Sequence, residues 1–236
     1  MALINKEMSN INKLSIIIPV FNEEKTLSEI LEKVLSLNLN KEVVIIDDFS
    51  TDGTREKIEK ISNKNIKIIY QKNNQGKGAA IREGIKAATG DYIVIQDADL
   101  EYDPQEIHKL ILSVEKGEAE VVYGSRFAGR HKFHSLAHYW GNKFLTLLTN
   151  ILYGVGLTDM ETCYKLVPAK LMKSLKLRAN RFDFEPEITA KILKKGYKVK
   201  EVPISYEGRS FQSGKKISWK DAGAAIWTLV KYRFCD

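Results

Sequence analysis

Five short apolar runs punctuate the first half of the chain: "KLSIIIPV" (13–20), "EVVIID" (42–47), "IKIIYQ" (66–71), "DYIVIQD" (91–97) and "AEVVYGS" (119–125). Each is rich in β-branched residues and alternates little, the pattern of strands covered on both faces. Between them the spacing turns helical. In "EKTLSEILEKVLSL" (24–37), Leu27, Ile30, Leu31, Val34 and Leu35 fall on one face. "GTREKIEKIS" (53–62), "KGAAIREGIKAAT" (77–89) and "PQEIHKLILSVEKG" (104–117) read the same way, with Pro104 at a favourable first helical position. Strand and helix in alternation predict an open, mostly parallel, Rossmann-like α/β sheet. Ligands of such sheets bind beyond the carboxyl ends of the strands.

After about residue 126 the rhythm breaks. "FAGRHKFHSLAHYW" (127–140) is basic and aromatic, and "GNKFLTLLTNILYG" (141–154) is apolar and helical in spacing. "FDFEPEITAKILKKG" (182–196) predicts another helix, "YKVKEVPISY" (197–206) a strand, and "SWKDAGAAIWTLVKYRF" (218–234) a final amphipathic helix. The expected organisation is one domain over 1–236. An α/β half covers 13–125, a second half 126–218 and an amphipathic C-terminal helix 219–236.

Composition narrows the function classes. Apolar residues are 44% and charged residues 28% of the chain, an ordinary globular balance. The net charge of +7 favours anionic partners: nucleic acid, a phosphate-rich ligand or an acidic membrane face. No recognised nucleic-acid motif accompanies it, so no nucleic-acid partner is expected. The cysteines, Cys163 and Cys235, form no disulfide or zinc framework, which suits a reducing compartment. No signal-type run opens the chain and no stretch reaches the length of a spanning helix, so contact with a bilayer is expected to be peripheral.

The unusual residues follow the strands. In "PVFNEE" (19–24), Pro19 ends a strand, and Asn22 and Glu23 either cap a helix or meet a ligand. In "IIDDFSTDGT" (45–54), strand alternation aims Asp47 and Asp48 in opposite directions. One is placed to brace the loop, the other to accept a hydrogen bond from a base. "NNQGKGAAIREG" (73–84) opens a helix with two glycines and Lys77, which serves either phosphate binding or close packing. "IQDADLEYDP" (95–104) sets Asp97, Asp99, Glu101 and Asp103 on alternate positions. This is either a solvated acidic turn or a set of hard oxygens for Mg2+ or Mn2+ on a nucleoside diphosphate. If the segment is extended, Asp97, Asp99 and Glu101 point the same way and Asp103 caps the next helix.

Taken in order, "PVFNEE", "IIDDFSTDGT", "NQGKGAA", "DADLEYDP" and "YGSR" resemble family 2 glycosyltransferases of GT-A fold, nearest the dolichyl- or polyprenyl-phosphate mannosyltransferase and glucosyltransferase branch. The likeness spans about residues 13–218. It implies a nucleoside pocket lined by Pro19, Phe21, Glu23, Ile46 and Asp48. It implies a metal on Asp97, Asp99 and Glu101, with the Ala98 backbone near the sugar nucleotide; many relatives carry Gln where this chain has Glu101. Arg126 of "GSR" is expected on phosphate. Arg209 and Lys215 fall in a basic loop that reads "QSGKK" where relatives carry a "GESK"-like signature. Asp159 and Glu161 of "TDMETCYKL" stand near the acceptor. The implied donor is GDP-mannose or a UDP-hexose, and the implied acceptor a polyprenyl or dolichyl phosphate at the cytoplasmic membrane face. A membrane-anchored partner or a homo-oligomer is compatible with this.

The expected chemistry is hexose transfer with inversion. An acceptor phosphate monoester, with a second pKa of ~6, is already ionised and needs cations more than a base. Transfer to a sugar hydroxyl, requiring Asp159 or Glu161 as base, is the alternative, with a non-catalytic relative behind it. His131, His134 and His138 share helical spacing with zinc ligands, but read better as part of a basic loop with Arg130 and Lys132. The segments 144–155 and 222–234 suit either core or a membrane interface, because aromatic and basic residues flank them.

Overall fold

The computed structural model describes residues 11–132, 135–208 and 219–235. The expected strands form where the apolar runs lie: β1 (Leu14–Val20), β2 (Lys41–Asp47), β3 (Ile66–Tyr70), β4 (Tyr92–Ile95) and β5 (Val121–Ser125). Between them come α1 (Leu27–Ser36), α2 (Thr54–Glu59), α3 (Lys77–Ala87) and α4 (Ile107–Glu115). A 3-10 turn, Pro104–Glu106, leads into α4, and Asp103 caps it by accepting from the Gln105 N–H.

The second half contributes β6 (His131–Lys132), α5 (Leu136–Tyr153), β7 (Lys165–Pro168), α6 (Ala169–Ser174), α7 (Phe184–Lys194), β8 (Val199–Pro203), β9 (Tyr206–Glu207) and α8 (Trp219–Phe234). The main sheet has seven strands in the order β3-β2-β1-β4-β7-β5-β8, and β9 pairs with β6 in a second, two-stranded sheet. All main-sheet neighbours are parallel except at β7, which runs antiparallel to both β4 and β5. The structure differs from the sequence reading in four places. β7 and α6 were not anticipated, because four strand residues are too few to show a period. The strand expected over 197–206 breaks at Ile204 and Ser205, and its end crosses to the small sheet. His131 is in a strand and His138 in the first turn of α5, so they do not share a helical face; His134 lies outside the described residues.

The core lies on both faces of the sheet. Ile16, Ile17 and Ile18 of β1, Val43 to Ile46 of β2 and Ile93 to Ile95 of β4 are fully buried. Helix α3 comes very close to this layer. A Cβ on Gly84 would lie 2.5 Å from Ile17 Cγ2 and 2.8 Å from Ile46 Cδ1, so only glycine permits the approach. A second, smaller core of Leu145, Leu157, Met160, Ala225 and Leu229 joins α5 to α8.

The amino edge of the sheet is tied by one carboxylate. Glu42 accepts from Ser15 Oγ at 2.5 Å, Lys13 Nζ at 2.9 Å and Thr89 Oγ1 at 2.7 Å, joining β1, β2 and the turn before β4. Burial alone would raise its pKa, but the hydrogen bonds from Ser15, Thr89 and Lys13 outweigh burial and lower it to about 2. A lowered folded-state pKa stabilises the fold above the ordinary Glu value and loses that effect as pH falls toward the lowered one. Glu42→Gln is therefore expected to cost on the order of 2 kcal/mol at pH 7. The difference from wild type should shrink as pH falls from 5 toward 2. Urea unfolding across that range checks this, and a pH-independent difference would contradict it.

Candidate active site at the carboxyl edge of the sheet

Parallel strands bring their following loops to one edge, and here the loops after β1, β2, β3 and β4 interlock. Among the described residues, three of the four non-glycine residues with left-handed backbone lie in them: Asn22 (φ 54°), Phe49 (φ 64°) and Leu100 (φ 63°). Such residues store strain and concentrate at ligand sites. The first two loops clasp each other. The Asn22 side-chain oxygen accepts from Thr51 N at 2.8 Å, Asn22 N donates to Ser50 Oγ at 3.0 Å, and Glu23 N donates to Thr54 Oγ1 at 2.9 Å. Glu23 itself accepts from Thr26 Oγ1 at 2.8 Å. Pro19, Phe21 and Glu23 are partly exposed along this rim.

The acidic pair after β2 divides as alternation requires. Asp47, fully buried, accepts from Arg55 Nε at 2.9 Å and Nη2 at 2.5 Å and from Ser50 N at 3.0 Å. Asp48 turns the other way and accepts from the backbone N–H of Gln75 and of Gly76, both at 2.8 Å. Both acids therefore brace loops, Asp48 from a buried position just past the end of β2. Gly76 adopts φ 96°, and a Cβ there would collide with the Asn180 carbonyl oxygen. The loop before α3 thus needs glycine for both its conformation and its packing. Ile46 is a correction to the expected pocket: it is fully buried and its Cδ1 packs toward α3, so it belongs to the core.

The segment after β4 is not extended. Residues 98 and 99 form a turn and Leu100 is left-handed, so alternation does not align Asp97, Asp99 and Glu101. Asp97 is paired with Lys77 Nζ, at 2.7 Å to Oδ1 and 2.9 Å to Oδ2. Asp99 Oδ1 accepts from Glu101 N at 3.1 Å. Glu101 Oε2 accepts from Tyr206 Oη at 2.6 Å. Among the described residues, no three His, Cys, Asp or Glu side chains gather closely enough to hold a metal ion. Ala98 is buried beneath this turn.

Across the site, Arg126 and Asp159 form a buried fork-to-fork pair: Nε to Oδ2 and Nη2 to Oδ1, each at 2.7 Å. Burial opposes the Arg126 charge, but Asp159 outweighs it and raises the pKa well above its ordinary value. The guanidinium also lies 5.2 Å from the Tyr206 ring centroid. Behind them Lys165 is fully buried and ion-paired with Glu185. One oxygen of Glu185 and one of Glu161 are buried without a hydrogen-bond partner. Arg209 and Lys215 lie outside the described residues. Arg55, Lys165, Tyr102 and Tyr206 were missed from sequence. A lone lysine inside the apolar run "YKLVP" was the one legible signal among them.

The family model for glycosyl transferase family 2 matches residues 15–175. The chain belongs to glycosyl transferase family 2. It is 29% identical over 202 residues to the low-salt glycan biosynthesis hexosyltransferase Agl6 of Haloferax volcanii, covering 83% of this chain and 48% of that protein. It is 36% identical over 130 residues to the dolichol-phosphate mannosyltransferase of Pyrococcus furiosus, covering 54% of this chain and 37% of that protein. The chain thus spans half or less of the length of these two relatives. The glucosyl-3-phosphoglycerate synthase of Mycobacterium tuberculosis superposes with a TM-score of 0.74 at 17% identity, over 95% of this chain and 81% of that one. That likeness shows the GT-A fold. The same mycobacterial enzyme has been solved with Mn2+ and UDP.

The donor set of this family 2 glycosyltransferase fits a divalent ion on two carboxylates rather than three. Asp97 and Asp99 supply hard oxygens two residues apart, and Mg2+ or Mn2+ needs only one or two carboxylates besides phosphate oxygens and water. Glu101 instead holds Tyr206. Lys77 already supplies a cation at Asp97. Burial alone would lower its pKa, but Asp97, followed by Cys163 and Glu185, raises it.

Glu161 is the perturbed acid of the site. Burial, reinforced by the charges of Glu185 and Asp159 and opposed by those of Lys165 and Arg126, raises its pKa to about 7. A carboxyl whose folded-state pKa is raised destabilises the fold increasingly as pH climbs from the ordinary Glu value to the raised one. Glu161→Gln is expected to stabilise the protein by roughly 1–2 kcal/mol at pH 8, with the gain fading toward pH 4. Thermal unfolding of both proteins at the two pH values checks the sign; a loss of stability at pH 8 would contradict it.

Proposed function

We propose that this protein transfers a hexose, mannose or glucose, from a nucleotide sugar to a polyprenyl or dolichyl phosphate at the cytoplasmic membrane face. The observation that carries this reading is the Arg126–Asp159 pair. The acid of the acceptor-side motif spends both oxygens on an arginine fork, so it orients a cation and is badly placed to take a proton. An acceptor that arrives ionised needs no base. It needs its charge met, and Arg126 and Lys77 are among the described cations at this edge. The likeness to a dolichol-phosphate mannosyltransferase supports the same acceptor class.

In this scheme the rim formed by Pro19, Phe21, Glu23 and Asp48 receives the nucleoside, and Asp97 and Asp99 hold the divalent ion. When bound, that ion neutralises charge building on the departing diphosphate. Lys77 gives a second positive charge beside Asp97. Arg126, fixed by Asp159, faces the acceptor phosphate. Attack from the side opposite the diphosphate gives inversion at the anomeric carbon.

A second reading, transfer to a sugar hydroxyl, is favoured by Glu161 alone, whose raised pKa suits a general base. Variants separate the two. A panel of nucleotide sugars is offered with a short polyprenyl phosphate and Mn2+, and sugar reaching the organic phase is counted. Asp99→Ala is expected to lower transfer at least about a hundredfold while unfolding at an unchanged temperature. Glu161→Gln should keep transfer within about threefold under the lipid-phosphate reading. Undiminished transfer by Asp99→Ala would sink the metal assignment, loss of transfer in Glu161→Gln would contradict transfer without a base, and no transfer by the wild type with any donor would favour the hydroxyl acceptor.

A further inference from the structure

Helix α5 exposes an unbroken apolar stripe. Leu136, Trp140, Phe144, Leu147 and Ile151 are all more than half exposed, from 54% at Phe144 to 79% at Leu136. At 100° per residue these positions fall within an arc of about 80° and run about 22 Å along the axis. Ala137 and Gly141, also exposed, extend the same side. The opposite face carries the buried Leu145, Thr146 and Thr149. α5 is therefore an inverted surface helix: its threonines face inward, where Thr146 Oγ1 accepts from Met160 N and Thr149 Oγ1 donates to the Leu145 carbonyl. Neighbouring α8 adds Trp227, 66% exposed, and Phe234, 76% exposed.

The charge on this face is mostly of one sign. No Asp or Glu occurs in 136–153 or in 222–234, although α8 has Asp221 near its start. Arg130, His131 and Lys132 are exposed just before α5, Lys132 with Glu207 at 3.8 Å, and Arg233 is exposed near the end of α8. Aromatic and aliphatic side chains flanked mostly by cations match the boundary of an anionic bilayer. A self-association face would need no such charge bias. No helix among the described residues is long and apolar enough to cross a membrane, so α5 would lie in the plane of the surface.

The stripe also starts beside the candidate site. The Phe127 ring, one residue after Arg126, packs edge-on against Tyr139 at 5.2 Å, and Lys143 Nζ sits 3.9 Å above it. We infer that the outer face of α5, extended by α8, docks this protein on an anionic lipid surface and so presents the Arg126 side of the site to the bilayer. This rests on the lipid-phosphate reading for its purpose, but its test needs neither donor nor acceptor.

The full chain is sedimented with phosphatidylcholine vesicles with or without 30% phosphatidylglycerol, free of polyprenyl phosphate. Binding is expected to anionic vesicles, with a blue shift of tryptophan emission. Leu147→Glu should weaken it at least tenfold without changing the unfolding temperature. Leu112→Glu, at a half-exposed leucine on α4 far from the stripe, should bind as wild type. The inference is overturned if the wild type ignores anionic vesicles or Leu147→Glu binds them equally well. It is also overturned if Leu147→Glu merely dissolves a dimer that never bound vesicles. Transfer to a water-soluble short acceptor, measured on the same Leu147→Glu protein, keeps a failure of docking distinct from a failure of the proposed activity.

Discussion

The Asp48 carboxylate holds the site together. Its two oxygens take the N–H groups of Gln75 and Gly76, which fixes the start of α3 against the end of β2. The next residue is Lys77, whose ammonium meets Asp97 at the end of β4. One carboxylate therefore sets the spacing between three strand ends through a short rigid path. Without it the loop before α3 would have to find other acceptors for two inward-facing donors, an expensive loss in a partly buried place. The strain at Asn22, Phe49 and Leu100 is tolerable for the same reason: each strained loop is held by side-chain hydrogen bonds or a neighbouring strand.

The far side of the site rests on a different device. β7 runs against its neighbours and carries Lys165 into the core, where Glu185, the Thr162 carbonyl and the Tyr123 ring receive it. Arg126 and Asp159 form a second buried pair close by. Buried pairs contribute little net stability, since desolvation offsets their attraction. What they provide is fixed direction. Two cations and their acids are held in fixed directions in a low-dielectric wall, charge that needs no reorganisation to keep its orientation. Glu161 is the acid left over in that wall. Its pKa is raised to about 7 chiefly by burial, with the charges of Glu185 and Asp159 adding to it.

Much of this was legible in the sequence, and the failures have physical causes. The runs from Leu14, Lys41, Ile66, Tyr92 and Val121 became strands because two to four consecutive β-branched residues in a short apolar run leave few alternatives, most of all in β1, β2, β4 and β5, where the sheet is covered. Asp47 and Asp48 were rightly expected to part company, since alternation holds through the last strand residue. The same rule misled at Asp97, Asp99 and Glu101, because Leu100 leaves the extended region and turns Glu101 toward Tyr206. Ile46 was misplaced because a family position was read as a pocket wall while this chain uses it to receive Gly84. β7, β6 and β9 are too short for any period to show. Tyr206, a hundred residues from its partner, left no local trace at all.

The choice of glutamate at position 101 gains a meaning from that partner. A glutamine could also accept from Tyr206, but it would not charge the bond. The ionised acceptor strengthens the hydrogen bond, and Tyr206 in turn lies against the Arg126 guanidinium, to which a phenol ring offers its negative face. Tyr206 also pairs with Tyr102 and receives β6 along its backbone. The acidic turn after β4, the Arg126–Asp159 pair and the small sheet of β6 and β9 thus meet at one ring, which holds their relative positions without a moving domain.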